Sequence, residues 1–564
     1  MIRGWLRRAL LAGALATASL AWTQETDKTI VDLQPARTAS TQSLPGEPGG
    51  RGAIVLTNLN PAINAWFLLE VRPWGAKASA YHLENPDPAA QRISLDPDAA
   101  GRLSISSAAG TQSCVLWPGH ALAQARASAL PFAPLCDGRL YLRNAVPGNR
   151  TNLEATTEFL RDHVWRGEQI IGFVKRKFYG DAFAQHATPL PGEPTASAAL
   201  ALSDVPVSPS LASAHAARIA LPADLGIDIG VRDALMLGQW YPVAGLDAVF
   251  VSVIQPEALA ANIPRGPLDG VESAALDYLV AFDLSAFDVG FSLGTEHPRL
   301  GWSERVPESR RDVGLPGPDG IDRATPLVRT GMVSPALEAR TVAAFTGGFK
   351  REHGAFTHGT LAQVNRGSHY GFIEQGVVFS TLQPGLSTLY VLDDGSVDMK
   401  TWSRADDRLL GRIRHARQNG VPLIERSATG GPSVAGSLVD QWGPGNWSGS
   451  AEEKLRSLRA GACLVEQAGR RFLVYGYFST ATPRAMARVF GAYGCRYAMH
   501  LDMNALEHTY LALYPHGDSR ITVEHVVRGM SVLDKEVHGA LVPRFLGFPD
   551  DRDFFYLVSR KVRR

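Results

Sequence analysis

The feature that most constrains the fold lies near the C-terminus, where a capped helix separates two strand-like segments. The segment RRFLVYGYF is strand-like, Thr482 can cap the next helix, and Pro483 fits its first turn. The apolar face of that helix, at i, i+3, i+4 and i+7, is formed by Met486, Val489, Phe490 and Tyr493. Gly494 ends the helix, and CRYAMHL then predicts a buried strand that carries Asp502 at its carboxyl end. This order predicts a βαβ unit, and in α/β folds ligands usually bind at that edge.

The rest of the C-terminal half also favours strands. LGQWYPVAGLDAVFVSVIQP and DYLVAFDLSAFDVGFSLG are both strand-like. TLYVLDDGSVDMKTW predicts a hairpin, because Asp394-Gly395 supplies a positive-φ turn between two β-rich stretches. Asp406 and Asp407 favour the start of a helix that ends at Asn419-Gly420, and the short strand VPLIE follows. These elements predict an α+β or mixed α/β fold with a mixed sheet.

A length of 564 residues predicts more than one domain. Residues 45–180 contain short apolar runs between turn residues and then two helical stretches, Leu153 to Val164 and Glu168 to Phe178, which predicts a β-rich accessory module that ends in helices. Residues 186–216 are rich in Ala, Pro and Ser and predict a linker. Residues 225–564 form the second predicted domain.

The first 21 residues resemble a signal peptide. Three arginines precede Ala9, the residues from Ala9 to Ala21 are mostly apolar and small, and a polar stretch follows. Both Ala16-Thr17-Ala18 and Ser19-Leu20-Ala21 fit a cleavage site, and thirteen residues are short for a membrane span. We therefore expect a periplasmic or secreted protein, with an uncleaved signal anchor as the alternative.

Overall composition excludes several classes of function. Lys and Arg total 56 and Asp and Glu total 55, so a net charge of +1 gives no field that would attract nucleic acid or anionic lipid. Hydrophobic residues make up 45%, which is enough for sizeable cores and excludes a wholly disordered chain. We expect no nucleic-acid partner and no membrane contact beyond the signal segment, and the oligomeric state stays open.

Four cysteines are too few for a disulfide scaffold or an array of zinc fingers. Cys114 and Cys136 lie in the N-terminal half, and Cys463 and Cys495 lie in the C-terminal half. An exported chain could form one disulfide in each half. Buried free thiols are the alternative for the second pair, because Cys463 lies in the apolar run GACLV.

One segment of the C-terminal half suits anion binding. In AAFTGGFKREHGAFTHG an apolar strand leads into Gly347-Gly348, which Lys350, His353 and His358 follow closely. Paired glycines let backbone amides approach a ligand, and Lys350 can neutralise an anion such as phosphate. The alternative is a simple glycine turn with a solvated lysine.

A second segment, MHLDMNALEHTY, concentrates polar residues at the end of a predicted strand. These residues are His500, Asp502, Asn504, Glu507 and His508. A carboxylate at a rigid strand end can act as a nucleophile or base, although a single Asp there often caps the next helix.

Together, in this order, the two segments resemble the phosphodiester glycosidase family, whose domain occurs in the lysosomal uncovering enzyme and in bacterial envelope proteins. That family shows an Asn-Gly-Gly-Phe segment, a Gly-containing turn, a Pro-Leu-type strand, an Arg-led strand and a late strand that ends in Asp-Gly-Gly. The matching residues here are Thr346-Gly347-Gly348-Phe349, Thr357-His358-Gly359, Gly420-Val421-Pro422-Leu423-Ile424, Arg459-Ala460-Gly461 and Gly494 to Asp502. The resemblance covers about residues 240–513, and the N-terminal module resembles no family that we recognise.

The resemblance implies an exported hydrolase that cleaves a glycosyl phosphodiester or a related glycosidic linkage in an envelope or extracellular glycan, with no cofactor and no metal. It carries over Asp502 as the catalytic carboxylate and Gly347-Gly348 as part of the binding segment. Charge and position suggest His500 or Glu507 for proton transfer. The residues expected to bind substrate or phosphate are Thr346, Gly347, Gly348, Lys350, His358, Arg459 and Asn504. Arg456 is close enough to Arg459 to be the alternative phosphate ligand.

The chain departs from the family pattern at two places. Thr346 replaces the family Asn, and Met503 and Asn504 replace the glycines after the late Asp. The second change adds side-chain bulk where a sugar or phosphate would approach.

Three other functions compete with this interpretation. A metal hydrolase could use Asp502 with His353, His358, His369, His500 and His508, but no H-E-x-x-H or similar spacing occurs. A serine hydrolase lacks a G-x-S-x-G elbow. The third is a non-catalytic glycan-binding or scaffold protein that keeps the fold. An enzyme should place Lys350, an arginine and Asp502 in one pocket, whereas a binder should divert the carboxylate into a salt bridge.

Overall fold

The computed structural model describes most of the chain, in several ranges. These are residues 28–45, 51–116, 120–164, 181–191, 205–212, 218–260, 266–303, 306–351, 359–364, 370–427, 431–440, 456–515 and 522–560. The predicted signal peptide, the second predicted helix at 168–178 and parts of the predicted linker lie outside them. No helix within these ranges is long and apolar enough to cross a membrane.

The N-terminal half is built from short strands, as its sequence pattern predicts. Its described strands are β1 (Thr38–Pro45), β2 (Arg51–Asn58), β3 (Trp66–Arg72), β4 (Ser79–Glu84), β5 (Arg92–Leu95), β6 (Arg102–Ser107), β7 (Gly110–Val115), β8 (Phe132–Leu135) and β9 (Leu140–Arg143). Its described helices are α1 (Ala121–Ala127) and α2 (Asn152–His163). One antiparallel sheet has the order β1–β2–β3–β4–β9–β8, and a second has the order β5–β6–β7.

Strand β3 shows why the first sheet is buried on both faces. Its side chains alternate between two hydrophobic cores, as the two-residue period of a strand requires. Phe67 and Leu69 face a core that belongs to the N-terminal half, whereas Trp66 and Leu68 face the main core that the C-terminal half contributes. The N-terminal sheet therefore packs directly against the C-terminal half.

The C-terminal half contains most of the strands. Those described are β10 (Arg218–Ala220), β11 (Ala234–Met236), β12 (Trp240–Val243), β13 (Leu246–Ile254), β14 (Asp277–Asp283), β15 (Phe287–Ser292), β16 (Thr341–Thr346), β17 (Phe372–Glu374), β18 (Val377–Ser380), β19 (Ser387–Leu392), β20 (Val397–Thr401), β21 (Ile413–Gln418), β22 (Pro422–Glu425), β23 (Val434–Ala435), β24 (Ser457–Gln467), β25 (Arg470–Ala481), β26 (Tyr497–Met503), β27 (Leu511–Leu513), β28 (Glu524–His525), β29 (Lys535–Val537), β30 (Ala540–Val542) and β31 (Phe554–Ser559). The α-helices described here are α3 (Gly270–Ala274), α4 (Pro335–Glu338), α5 (Gly359–Val364) and α6 (Pro483–Ala492). The 3-10 helices described along the chain are Ile30–Leu33, Pro256–Ala258, Glu308–Arg310, Arg404–Arg412 and Arg528–Leu533.

Three larger sheets organise these strands. Their orders, over the described residues, are β12–β13–β14–β25–β24–β26–β22–β23, β15–β31–β16–β27–β28 and β18–β17–β21–β19–β20. Smaller antiparallel pairs join β10 to β11 and β29 to β30. The fold is thus β-rich with several sheets and short helices, in agreement with a mixed fold. The predicted mixed sheet is wrong, because the ladders between the described strands of these sheets are antiparallel.

The strand–helix–strand unit at the C-terminus forms where the sequence predicts it. Thr482 accepts a hydrogen bond from the backbone N–H of Ala485, Pro483 is the first helical residue, and Gly494 follows the helix with a φ of +72°. Strands β25 and β26 run in the same direction, but β24 lies between them and is antiparallel to both. The two strands of the unit, β25 and β26, are therefore not hydrogen-bonded to each other, as they would be in a simple βαβ unit.

The predictions around residues 387–425 had mixed outcomes. The hairpin is confirmed, since β19 pairs with β20 and Gly395 has a φ of +80°. The helix predicted from Asp406 to Asn419 is wrong: a 3-10 helix ends at Arg412, and residues 413–418 form β21. Strand β21 lies between β17 and β19, so ladder hydrogen bonds on both sides outweigh the local helix signals.

Both predicted disulfides are present, Cys114–Cys136 and Cys463–Cys495. The first joins the end of β7 to the turn after β8, and Cys463 on β24 is fully buried. Two disulfides fit a secreted or periplasmic protein.

Removing the first disulfide is expected to lower the free energy of unfolding. In Cys114→Ser with Cys136→Ser, opening a loop of 22 residues should cost about 3 kcal/mol, because the unfolded chain gains conformational freedom. Denaturant unfolding of the double variant measures this. Ser106→Ala on the neighbouring strand is the control and should change stability by less than about 0.5 kcal/mol. A double variant as stable as this control would contradict the prediction.

Candidate active site

Antiparallel pairing of β16 with β31 brings two distant charged segments together. Because Thr346 pairs with Phe554, the carboxyl end of β16 lies beside the residues that precede β31. The backbone N–H of Gly347 donates a 2.8 Å hydrogen bond to the carbonyl of Asp553. The glycine segment predicted from the sequence therefore adjoins the run Asp550 to Asp553.

The two glycines are required by close packing. A Cβ at Gly347 would lie 2.6 Å from Oδ2 of Asp553, and a Cβ at Gly348 would lie 2.8 Å from Oδ1 of Asn419. Gly348 also has a φ of +143°, which side-chain-bearing residues rarely adopt. The sequence suggested that these glycines allow a ligand to approach the backbone. In the structure, close contact with the side chains of Asp553 and Asn419 accounts for them.

Asn419 links the glycine segment to the strand that carries Asp502. Its Oδ1 accepts a 3.1 Å hydrogen bond from the backbone N–H of Phe349. Its Nδ2 donates hydrogen bonds of 2.5 Å to the carbonyl of His500 and 2.6 Å to that of Leu501. The two segments that the sequence singled out are thus neighbours in the fold.

Arg417 and Asp553 form a buried ion pair beneath the glycine segment. Nε of Arg417 donates a 2.7 Å hydrogen bond to Oδ2 of Asp553, and Nδ1 of His297 lies 2.5 Å from Oδ1. Nη2 of Arg417 also donates to the carbonyl of Phe349 at 2.6 Å. Burial works to raise the pKa of Asp553, but Arg417 and His297 outweigh it and hold the pKa below its ordinary value.

Arg552 connects Asp502 with the N-terminal half. Its Nη1 donates a 2.8 Å hydrogen bond to Oδ2 of Asp502, and its Nε donates a 3.0 Å hydrogen bond to Oε1 of Glu154 on helix α2. Nη2 lies 2.7 Å from Nε2 of His508. All of these side chains except that of His508 are buried.

The start of helix α2 positions two carboxylates, those of Glu154 and Glu158, next to Lys350. The Thr151 side chain accepts a 3.1 Å hydrogen bond from the backbone N–H of Glu154, which fixes the helix start. Glu154 and Glu158 are four residues apart and therefore lie on the same helix face. Both carboxylates contact Lys350: Oε1 of Glu154 is 3.5 Å from Nζ, and Glu158 forms a direct ion pair with it.

Lys350 is buried among carboxylates, although the sequence suggested phosphate binding or a solvated lysine. Besides the two glutamates, Asp551 contributes an oxygen 3.7 Å from Nζ. We name Glu154, Lys350, Asp502, Asp551 and Arg552 the buried charge cluster. Burial works to raise the pKa of Glu154, but Arg552, His508 and Lys350 lower it below its ordinary value.

Asp502 is 4% exposed at the end of β26. Oδ1 accepts a 2.8 Å hydrogen bond from the backbone N–H of Met503, while Oδ2 is bound to Arg552. Burial raises the pKa of Asp502 to about 6, although Arg552, the Met503 N–H and Arg417 oppose the shift. A carboxyl group with such a pKa can exchange protons near neutral pH, as acid–base catalysis requires.

His500 and Arg459 form a separate buried contact next to Asp502. Nη1 of Arg459 lies 3.5 Å from Nε2 of His500 and 3.2 Å from Sδ of Met503, and its Nε donates to the carbonyl of Ala481. Burial and Arg459 together lower the pKa of His500, so its imidazole is neutral. Burial also lowers the pKa of Arg459 to about 9. The arginine that contacts Asp502 is Arg552, while Arg456, the sequence alternative, pairs with Asp181 and Asp269.

The remaining predicted residues lie around this centre. Oγ1 of Thr346 donates a 2.6 Å hydrogen bond to the carbonyl of His508. Asn504 has a φ of +81° and accepts a hydrogen bond from Ser457, and the backbone carbonyl of Glu507 accepts one from Arg544. His358 lies outside the described residues, as do His353 and His369. Within the described part of the chain, no group of three or more His, Cys, Asp or Glu could hold a metal ion.

Sequence reasoning missed Arg552, Asp551, Asp553, Arg417 and Glu154. A signal for three of them was present, because DDRD stands immediately before the apolar strand FFYLVS. Charges at the start of a buried strand need partners, so such a run indicates a polar site. The helical position of Glu154 gives no comparable signal.

No family model matches this chain, and no curated protein matches it in sequence. Among solved structures, it is similar to the catalytic domain of zebrafish N-acetylglucosamine-1-phosphodiester alpha-N-acetylglucosaminidase, auto-inhibited by its pro-peptide, with 11% identity, 56% of this chain and 85% of that chain covered, and a TM-score of 0.28. It is also similar to a Burkholderia pseudomallei protein described as exported, with 10% identity, 50% and 74% covered, and a TM-score of 0.18. Both TM-scores are too low to assign a shared fold.

Proposed function

We propose that this protein is an exported hydrolase that cleaves a glycosyl phosphodiester, or a related glycosidic linkage, in an envelope or extracellular glycan. The observation that carries this proposal is the contact of Asp502 with Arg552, which Glu154 connects to Lys350. A carboxyl group with a pKa of about 6 is thus linked to two cations, directly to Arg552 and through Glu154 to Lys350. Both disulfides suit an exported protein.

The chemistry of the linkage explains why this combination would suffice. Cleavage breaks the bond between the anomeric carbon and the phosphate oxygen, and the phosphate leaves with the electron pair. Water adds its hydroxyl group to the anomeric carbon, and the proton that water loses passes to the carboxylate that acts as the base. Phosphate is a good leaving group, so a strong general acid is less important than in ordinary glycoside hydrolysis. Asp502 would act as nucleophile or base, and Arg552 and Lys350 would stabilise the negative charge of the phosphate.

The roles of the other predicted residues follow from their positions. His500 is neutral and buried near Arg459, so it would orient Asp502 through their common strand, and Glu507 stays a candidate for proton transfer. Thr346 would hold the segment after Asp502 through the carbonyl of His508.

A non-catalytic glycan-binding or scaffold protein is the second candidate. One observation favours it: the Asp502 carboxylate is bound in a buried salt bridge, and the carboxylate of Glu154 stands between the two cations that would bind phosphate. Such a network can serve folding specificity alone.

Hydrolysis of a substrate panel separates the two candidates. Purified mature protein should release product from aryl and sugar 1-phosphodiesters, while matched aryl glycosides without phosphate should react more slowly, since they lack the charge that Arg552 and Lys350 would bind. The rates are measured by chromophore release and by product chromatography. Absence of turnover across the panel, from protein with a cooperative thermal transition, would favour the non-catalytic candidate.

A further inference from the structure

A cavity of about 780 Å³ opens beside Lys350, between helix α2 and the C-terminal half. We propose that this cavity binds an acidic glycan, a chain of sugars that carries phosphate or carboxylate groups. The inference rests on the proposed function, because Lys350 both lines the cavity and belongs to the buried charge cluster. It also gives the N-terminal half a role, since that half supplies part of the binding cavity.

The charge of the cavity lining selects an anion. Five basic residues line it against two acidic ones, Glu158 and Glu296. The basic residues are Arg150, Arg299, Arg323, Arg329 and Lys350. Guanidinium groups bind phosphate and carboxylate through paired hydrogen bonds, so several of them along one cavity suit a ligand with repeated negative charges.

The two carboxylates of the lining are engaged by Arg150 and Lys350. Glu158 and Glu296 both pair with Arg150, and Glu158 also pairs with Lys350. Nη1 of Arg329 donates to the backbone carbonyls of His297 and Pro298, at 3.0 and 3.3 Å, and the charge of Glu296 also acts on this guanidinium.

The size of the cavity fits an oligosaccharide, and Lys350 joins the cavity lining to the buried charge cluster, while Asp502 and Arg552 are not among the lining residues. Lys350 lines the cavity, and the carboxylate of Glu154 contacts both Lys350 and Arg552. Arg552 in turn binds Asp502. A volume of about 780 Å³ lies within the usual range of ligand pockets and exceeds what a single small anion needs. Phe159 on α2 is 58% exposed at the cavity and offers an apolar surface to a sugar ring.

Calorimetric titration of the full chain tests the proposal with three hexasaccharide probes. These are neutral maltohexaose, singly phosphorylated maltohexaose and hexagalacturonate. At least one acidic probe should bind more tightly than the neutral one, and high salt should weaken that binding. Arg299→Ala combined with Arg323→Ala should weaken it about tenfold. Arg232→Ala, which removes an 82% exposed arginine outside the cavity, is the matched control and should bind as the wild type does.

The outcomes separate this inference from the proposed function. Titrations are repeated with Asp502→Asn, so binding is measured whether or not the protein hydrolyses glycans. Tight binding of one acidic probe identifies the charged group as phosphate or carboxylate and supports the inference. Equal affinity for the neutral probe, absence of binding to all three, or unchanged affinity in the double arginine variant would overturn it, even if phosphodiester hydrolysis is observed.

Discussion

Asp502→Asn is expected to lower kcat by about a thousandfold or more, whereas the protein should remain folded. The amide has the shape of the carboxylate, and its single oxygen can still accept a hydrogen bond from either Arg552 or the Met503 N–H, but it is neither a base nor a nucleophile at carbon. Steady-state kinetics on the best phosphodiester of the panel measure the loss.

The control for Asp502→Asn is the same substitution at another buried aspartate that is paired with an arginine. Asp283 ends β14, is fully buried, and forms an ion pair with Arg470. Asp283→Asn should therefore perturb stability in a comparable way but leave kcat near the wild-type value. Retention of full activity in Asp502→Asn would refute the catalytic assignment.

The pH dependence of the wild-type enzyme adds an independent test of the same role. A nucleophile or base acts in its deprotonated form, and the pKa of Asp502 is about 6 because of burial. Activity should therefore be nearly full above pH 7 and fall as the pH decreases through about 6. An unperturbed carboxyl group would instead keep activity down to about pH 4.

The parts of the fold that the sequence predicts correctly depend on neighbours along the chain. Thr482, Pro483 and Gly494 mark a helix start and end through local hydrogen bonds and backbone conformation, and Gly395 marks a turn in the same way. The helix predicted from Asp406 failed because β21 exists through its pairing with β17 and β19, which the local sequence does not encode.

The same distinction applies to the site. The glycine segment and Asp502 could be singled out because each follows an apolar strand, and Asn419 does bring them together. Arg552, in contrast, binds Glu154 across 398 positions and Asp502 across 50 positions. These contacts form because β16 pairs with β31 and because α2 packs against the C-terminal half. A single sequence predicts neither of these long-range arrangements.

Arg552→Ala is the variant with the largest expected effect on stability. Its removal would leave Glu154 and Asp502 buried without their shared cation, and breaking a buried ion pair in this way costs about 3–5 kcal/mol. Denaturant unfolding measures the free energy. Arg412→Ala, which removes an arginine that pairs with Asp393 and Asp394 at the surface, is the control and should leave the free energy of unfolding close to the wild-type value.

Combining Arg552→Ala with Glu154→Gln shows whether the loss of stability in Arg552→Ala comes from buried carboxylates that have lost their cation. In a Glu154→Gln background one buried carboxylate is already neutral, so Arg552→Ala should cost less than it does in the wild type. In Arg552→Ala, amide hydrogen exchange should also increase within α2, because the helix is bound to Arg552 through Glu154 and to Lys350 through Glu158. If Arg552→Ala is no more destabilising than Arg412→Ala and α2 stays protected, Arg552 does not hold the two halves together. The ion pairs of Lys350 with Glu154 and Glu158, which this variant leaves in place, would then retain the helix.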